Sequence, residues 1–143
     1  MRISTLKIFA MGANGSHANV STQSDAGRRW WTIGSIGEIQ IIQLKNLKSP
    51  NKLPEESCTP NRIYAVFEKD GSDVKGIAKY GGDGKKEWEI HTTDHDNLGP
   101  HYHPWKDGRP IQVTDSNGNK RNKAYSLDDY KKSLLKKVRN YDN

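Results

Sequence analysis

Histidine is the residue type best placed to do chemistry in this chain, because four of its five copies lie within thirteen residues. These four are His91, His95, His101 and His103, and Asp94 directly precedes the second of them. An imidazole has an ordinary pKa of about 6.5, so two of them in one site can divide at neutral pH into a neutral base and a protonated acid. We therefore expect a catalytic site built from these five residues.

A pair of imidazoles of this kind suits the cleavage of RNA. The base removes the proton of a ribose 2′-hydroxyl, the acid protonates the leaving 5′-oxygen, and a cation or phenol stabilises the charge on the phosphate. We expect Tyr102, Lys106, Arg109 and Lys136 to contact such a substrate. This interpretation requires no metal and no other cofactor.

The same histidines also suit a metal ion. His101 and His103 are two positions apart, so on a strand they point to the same face, and with His95 they offer nitrogen ligands for Zn²⁺. The spacing is not the helical His-Glu-x-x-His pattern of metalloproteases. A third interpretation assigns these polar side chains to a solvated sheet face without chemistry, and the sequence leaves all three open.

Charge indicates the kind of partner. The chain of 143 residues carries 23 Lys and Arg against 17 Asp and Glu, a formal net charge of +6. The excess is concentrated in residues 100–143, which hold ten basic residues against five acidic ones. A surplus of this sign favours a partner that carries phosphates, such as RNA. The single cysteine excludes an internal disulfide and thiolate metal clusters, and the low apolar fraction of 32% argues against a membrane partner.

Alternation of apolar and polar residues predicts the strands that would position the histidines. Residues 62–68, 74–80 and 87–93 alternate, with Gly-containing turns between them, and at least one more strand is expected within 100–114. Short turns of this kind join adjacent antiparallel strands. The predicted sheet therefore has about four antiparallel strands within 62–114.

Two helices are predicted outside this sheet. Ser35 and Glu38 have capping-box spacing ahead of apolar residues, which predicts a helix over about 36–47, although the alternation at 39–41 also suits a strand. At the C-terminus an apolar stripe at helical spacing predicts a helix over 126–141, with Ser126 as its cap. The stripe consists of Leu127, Tyr130, Leu134, Leu135, Val138 and Tyr141.

Together these elements predict an α+β fold, with an N-terminal helical part, the four-stranded sheet and an amphipathic C-terminal helix. Residues 1–24 are rich in Gly, Asn, Ser and Thr, so we expect them to be weakly ordered. Residues 25–143 are expected to form a single globular domain, since that length is typical of one hydrophobic core.

The residues between about 60 and 114 also carry a resemblance. The hairpin from Arg62 to Tyr80, the Asp94-His95 pair and the run Gly99-Pro100-His101-Tyr102-His103-Pro104-Trp105 resemble C-terminal toxin domains of bacterial polymorphic toxins and related prophage proteins. Many domains of that group are similar to the barnase, EndoU, colicin and RelE-like nucleases, in which an N-terminal helical part packs on a four-stranded antiparallel sheet. The resemblance implies RNA cleavage without a metal.

The resemblance also implies roles and partners. It makes His95, His101 and His103 the motif histidines, with Asp94 orienting one of them. It further implies an immunity protein as partner and a cytoplasmic site of action, reached through an export route that the sequence does not display. The alternative is a non-catalytic accessory domain of a phage or effector protein that binds nucleic acid or a metal.

Overall fold

An extended, mostly antiparallel β-sheet organises the molecule. The computed structural model describes residues 29–57, 59–93 and 97–141. Their elements are, in chain order, β1 (Trp30–Ile36), β2 (Ile39–Leu44), β3 (Ile63–Phe67), β4 (Val74–Tyr80), β5 (Lys86–His91), β6 (His101–Lys106), β7 (Arg109–Pro110), β8 (Gln112–Thr114), β9 (Lys120–Asn122), β10 (Tyr125–Ser126) and α1 (Asp129–Arg139). Eight strands form the main sheet in the order β1-β2-β3-β4-β5-β6-β10, with β7 added to β6, while β8 and β9 pair separately.

The meander from β3 to β6 confirms the predicted strands. Each neighbouring pair from β3 to β6 is antiparallel, and the turn glycines Gly71 and Gly84 have positive φ, as tight turns require. Asp107 and Gly108 both have positive φ between β6 and β7, the combination that a two-residue type I′ hairpin needs. Local turn chemistry and alternation therefore specify this part of the sheet.

The helix predicted over about 36–47 is wrong, because β1 and β2 form a hairpin there. The turn lies at Gly37, whose φ is +59°, and Ile36 pairs with Ile39 across it. Glu38, expected in a capping box, accepts a hydrogen bond from the Tyr130 hydroxyl instead, at 3.1 Å. Side chains of β2 are buried on both faces, Ile41 and Ile42 completely, and β-branched residues suit such a strand better than a helix.

The connection from β2 to β3 crosses one face of the sheet, so these two strands run parallel. The described residues 45–57 and 59–62 belong to this crossing, and Asn51 joins it to β2 and β3. Its Oδ1 accepts from the Leu44 amide at 3.0 Å and its Nδ2 donates to the Phe67 carbonyl at 2.9 Å. The Tyr80 hydroxyl donates to the Pro54 carbonyl at 2.6 Å. The crossing segment is therefore held against the sheet by buried hydrogen bonds as well as by its apolar side chains.

Two hydrophobic clusters lie on opposite faces of the sheet. The helix face is covered by α1, and its cluster includes Ile39, Ile41, Ile63, Ile77, Ile90, Leu134 and Val138. The loop face is covered by the crossing segment, and its cluster comprises Trp30, Ile42, Leu44, Leu53, Tyr64, Val66, Ala78 and Tyr80. Both faces of the central strands are therefore removed from water.

The C-terminal helix exists but is shorter than predicted. It begins after Asp128, whose carboxylate accepts from the Lys131 amide at 2.8 Å, whereas Ser126 lies in β10. Leu134, Leu135 and Val138 of the stripe are buried, but Tyr130 is 49% exposed. Lys131 is buried in its place, with Nζ over the Trp88 and Tyr102 rings at 4.7 and 4.3 Å.

The predicted fold class therefore needs correction. The described chain is 45% strand and 11% helix, and its sheet has eight strands rather than about four. Strands occupy 30–44, where the helical part ahead of the sheet was expected. The weakly ordered segment predicted over 1–24 lies outside the described residues. Within the described ranges, no helix is long and apolar enough to cross a bilayer.

Candidate functional site

Three histidines converge on the loop face at the β5–β6 pair, and we call His91, His101 and His103 the imidazole cluster. His91 lies directly opposite His101, and Glu89 lies opposite His103. Since side chains alternate along a strand, all four project from the same face. The His91 ring centroid lies 5.7 Å from that of His101 and 4.7 Å from that of His103. The cluster is thus a product of register as well as of His-x-His spacing.

Each ring of the cluster has one nitrogen held by an acceptor. The Nδ1 atoms of His101 and His103 lie 2.8 and 2.7 Å from the carbonyl oxygens of Gly99 and Lys123. Because a carbonyl only accepts, these two nitrogens carry hydrogen. In the neutral rings the lone pair is then on Nε2. His91 uses the opposite nitrogen: its Nε2 lies 2.7 Å from Glu89 Oε2, which leaves Nδ1 as the nitrogen that does not face Glu89.

Glu89 supplies a fixed negative charge beside His91. Burial alone would raise the pKa of this carboxyl, but the hydrogen bond from His91 and the charge and hydrogen bond of Lys86 lower it to about 2. The Lys86 ammonium lies 2.6 Å from Glu89 Oε1 and 4.3 Å from the centroid of the Trp105 ring. Glu89 is therefore ionised at neutral pH, and its carboxylate accepts a hydrogen bond from the His91 nitrogen that faces it.

His103 has the opposite environment. Partial burial lowers its pKa, and the neighbouring imidazoles His91 and His101 lower it further, against the raising effects of the Lys123 carbonyl and Glu89. A neutral His103 at neutral pH follows from that direction. With Nδ1–H given to the Lys123 carbonyl, its Nε2 is a lone-pair acceptor, as a general base requires.

Access to solvent differs within the cluster. His101 is completely buried, whereas the His91 side chain is 36% exposed and His103 is partly exposed. A substrate can therefore reach His91 and His103, while His101 packs behind them with its ring edge-on to both. The two accessible rings are the ones with contrasting surroundings.

The cluster also fits a divalent metal. One ring nitrogen from each histidine can be chosen so that all three lie within 4.8 Å of one another. Histidines that bind a metal nearly always donate their second N–H to a carbonyl or carboxylate, and all three rings of the cluster have such a partner. Imidazole nitrogens are common ligands of Zn²⁺ in proteins.

The structure does not bring all the predicted site residues together. Asp94 and His95 lie outside the described residues. Tyr102 contacts Lys131 of α1, so it belongs to the helix face, and Lys136 is an exposed residue of the same helix. Lys106 and Arg109 are exposed and paired across the turn from β6 to β7.

Sequence reasoning missed Glu89 and Lys86, although a signal for the first was present. Glu89 lies two positions before His91 on a predicted strand, so the two share a face. A β-bulge in the pairing of β4 with β5 puts Lys86 on the same face as Glu89, and no local sequence pattern predicts that bulge. Lys123 contacts His103 through its backbone carbonyl, so the residue type at position 123 does not predict this contact.

Comparison with known proteins gives no match, whether with family models, with curated proteins or with solved structures.

Proposed function

We propose that this chain is a toxin-like endoribonuclease that cleaves RNA by metal-independent acid–base catalysis at the imidazole cluster. One observation carries the proposal: two accessible imidazoles lie 4.7 Å apart with opposite environments, one beside the ionised Glu89 and one with a lowered pKa. A neutral imidazole beside a second imidazole that is hydrogen-bonded to a carboxylate supplies the two partners that acid–base catalysis needs.

In the proposed reaction His103 is the base and His91 the acid. His103 Nε2 takes the proton of the ribose 2′-hydroxyl, and the 2′-oxygen forms a bond to the phosphorus. The bond from phosphorus to the 5′-oxygen breaks, and His91 gives that oxygen a proton from the nitrogen that does not face Glu89. The products are a 2′,3′-cyclic phosphate and a free 5′-hydroxyl. His103 ends protonated and His91 neutral, so no proton is lost or gained.

The supporting residues have separate roles in this scheme. Glu89 accepts a hydrogen bond from His91 and orients its ring, and Lys86 holds Glu89 in place. The Lys123 carbonyl fixes the tautomer of His103. Asp94 and His95 remain candidate site residues on sequence grounds. An immunity protein as partner, a cytoplasmic site of action and delivery from another cell belong to the same proposal and rest on the resemblance alone.

A second candidate function is metal binding by a non-catalytic accessory domain. The observation that favours it is the acceptor held by every ring of the imidazole cluster, the arrangement expected around Zn²⁺. His91, His101 and His103 would be the ligands among the described residues, and His95 is a further candidate.

The two functions are separated by incubating the purified chain with single-stranded RNA and with DNA of the same sequence, each with EDTA or with added Zn²⁺. We expect cleavage of RNA alone, cyclic phosphate ends, and full activity in EDTA. The rate should follow a bell-shaped pH profile whose acidic midpoint lies below 6.5, because His103 must be neutral and its pKa is lowered from that value. Loss of cleavage in EDTA and recovery with Zn²⁺ would favour a metal centre, and no cleavage under any condition would overturn the enzyme proposal.

A further inference from the structure

A basic hairpin projects beside the imidazole cluster without packing on either hydrophobic cluster. We call residues 111–123, which contain β8 and β9, the basic hairpin. Every residue of its two strands is exposed. It carries Lys120, Arg121 and Lys123 against Asp115, and Lys106 and Arg109 lie just before it in the chain. A two-stranded ribbon of this kind buries too little apolar surface to contribute much to the core.

Polar contacts define the shape of the basic hairpin. Asp115 Oδ1 accepts from the amides of Asn117 and Asn119, each at 2.9 Å, and Gly118 has a φ of +85° in the turn. Gln112 Nε2 donates to Asn122 Oδ1 across the strands at 3.0 Å. The only acidic residue of the hairpin is therefore engaged in its turn, at the end opposite Lys123.

The base of the hairpin is joined directly to the cluster. The Ile111 amide donates to the Pro104 carbonyl at 2.9 Å, and the Lys123 amide donates to the Ile111 carbonyl at 2.8 Å. The carbonyl of the same Lys123 accepts from His103 Nδ1 at 2.7 Å. Any ligand held along β9 is thus close to the proposed base.

We propose that the basic hairpin binds the phosphates of a single-stranded RNA and delivers the strand to His91 and His103. This inference rests on the proposed function. The hairpin contains no aromatic residue, so it offers cations for phosphates and no ring on which a base could stack. Recognition through phosphates alone is independent of sequence and strongly dependent on salt.

The cations of α1 are less suited to this task. They lie across the sheet from the imidazole cluster, and two of them are engaged in ion pairs. Lys131 binds Asp128 at 2.9 Å, and Arg139 binds Asp73 at 2.8 Å. The exposed Lys132 and Lys137 of this helix therefore provide a matched control, with the same loss of charge at a distance from the site.

The test compares the double variant Lys120→Ala/Arg121→Ala, at two exposed cations of β9, with Lys132→Ala/Lys137→Ala. Binding is measured by fluorescence anisotropy with a labelled 2′-O-methyl oligoribonucleotide, which has no free 2′-hydroxyl and is not cleaved in the proposed reaction. We expect the hairpin variant to bind roughly tenfold more weakly, and its slope of log affinity against log salt to flatten by about 1.4, the value for two lost contacts to a single strand. The helix variant should bind as the unaltered chain does.

Cleavage of unmodified RNA by the same variants gives the second measurement. The hairpin variant should have a raised KM with an unchanged kcat, because the acid and base are intact. Equal binding by the two variants would overturn the hairpin proposal even if RNA is cleaved. If RNA binding depends on the hairpin but the unaltered chain cleaves no RNA, the result would support binding by the hairpin and contradict the proposed ribonuclease activity.

Discussion

The two faces of the sheet carry different side chains from the same strands, apolar ones on the helix face and polar ones on the loop face at β5 and β6. On the helix face, Ile90 of β5 contributes to a closed apolar cluster, and Tyr102 of β6 packs against it. On the loop face, the neighbouring residues of those strands are Glu89, His91, His101 and His103, and they form a partly exposed polar cluster. The crossing segment that covers the loop face packs over β1 to β4. Where that cover ends, the loop face is partly open, and His91 and His103 are partly exposed there.

The largest expected effect is on chemistry. Replacing the proposed base in His103→Ala, or the proposed acid in His91→Ala, should lower the RNA cleavage rate by roughly 100-fold to 10,000-fold, the usual loss for a missing general acid or base. The His103 ring is partly exposed, so the melting temperature of His103→Ala should change little, whereas His91→Ala also removes the hydrogen bond to Glu89 and should lower it moderately. Rates and thermal unfolding measured on the same preparations check this prediction. A fall in melting temperature without a specific loss of rate would make the cluster part of the core.

The next effect is on stability alone. Leu134 is completely buried on the helix face, so Leu134→Ala should lower the free energy of unfolding by about 2 to 5 kcal/mol. Urea unfolding measures this loss, and Leu47→Ala, at a leucine that is 43% exposed, is the matched control. Equal stability of the two variants would contradict the role of α1 as the cover of this face.

Glu89 connects stability to pH on the loop face. Its folded pKa of about 2 lies below the ordinary 4.5, so the ionised form stabilises the fold above pH 4.5 and the contribution is lost as pH falls from 4.5 to 2. The difference corresponds to about 3 kcal/mol. The Glu89→Gln variant should have a free energy of unfolding about 3 kcal/mol lower at pH 7, because it lacks the charge and leaves Lys86 buried without its partner. Its free energy of unfolding should also change less between pH 4.5 and pH 2.

The control for this measurement is Glu87→Gln, at the exposed carboxylate that pairs with Lys79 at 3.3 Å. An exposed pair contributes less than about 1 kcal/mol, so this variant should keep the pH dependence of the unaltered chain. Urea unfolding from pH 3 to 7 compares the two. A parallel shift of both curves would remove Glu89 as the source of the pH dependence.

The smallest effect is expected for Lys136→Ala. Lys136 is exposed on α1, so its loss should change the free energy of unfolding by less than about 0.5 kcal/mol. The sequence predicts a substrate contact for this residue, whereas its helix lies across the sheet from the imidazole cluster. The salt dependence of RNA binding separates these views, because a lost phosphate contact flattens the slope and a distant charge leaves it unchanged.

Local patterns predicted the parts of the fold that depend on neighbours in sequence. The meander and the C-terminal helix follow from alternation, Gly turns and an apolar stripe. The β1–β2 hairpin was predicted as a helix because Ile36 and Ile39 have helical spacing after a capping-box pattern, although residues 39–41 alternate as in a strand. The turn forms at Gly37, whose positive φ is a property of the folded chain. Its parallel pairing with β3 depends on a long crossing, which no short-range signal specifies.

Part of the candidate site was also accessible from sequence. His101 and His103 were predicted to share a face, and the register of β5 against β6 adds His91 to them. The predicted substrate contacts of Tyr102 and Lys136 relied on proximity in sequence and on charge, neither of which gives the face of a sheet. The contrast between His91 and His103 depends on burial and on a backbone carbonyl, which are properties of the folded chain.

The parallel pairing of β2 with β3 has a consequence for how the chain folds. Ile39 pairs with Ile63 only after residues 45–62 have closed a long loop, whereas β3 to β6 pair through short turns. Contacts between distant segments form slowly, because the entropy of loop closure is lost before the contacts are gained. We therefore expect the meander that carries the imidazole cluster to assemble first in folding. The β1–β2 hairpin would then dock onto it late, so substitutions in β2 should mainly accelerate unfolding rather than slow folding.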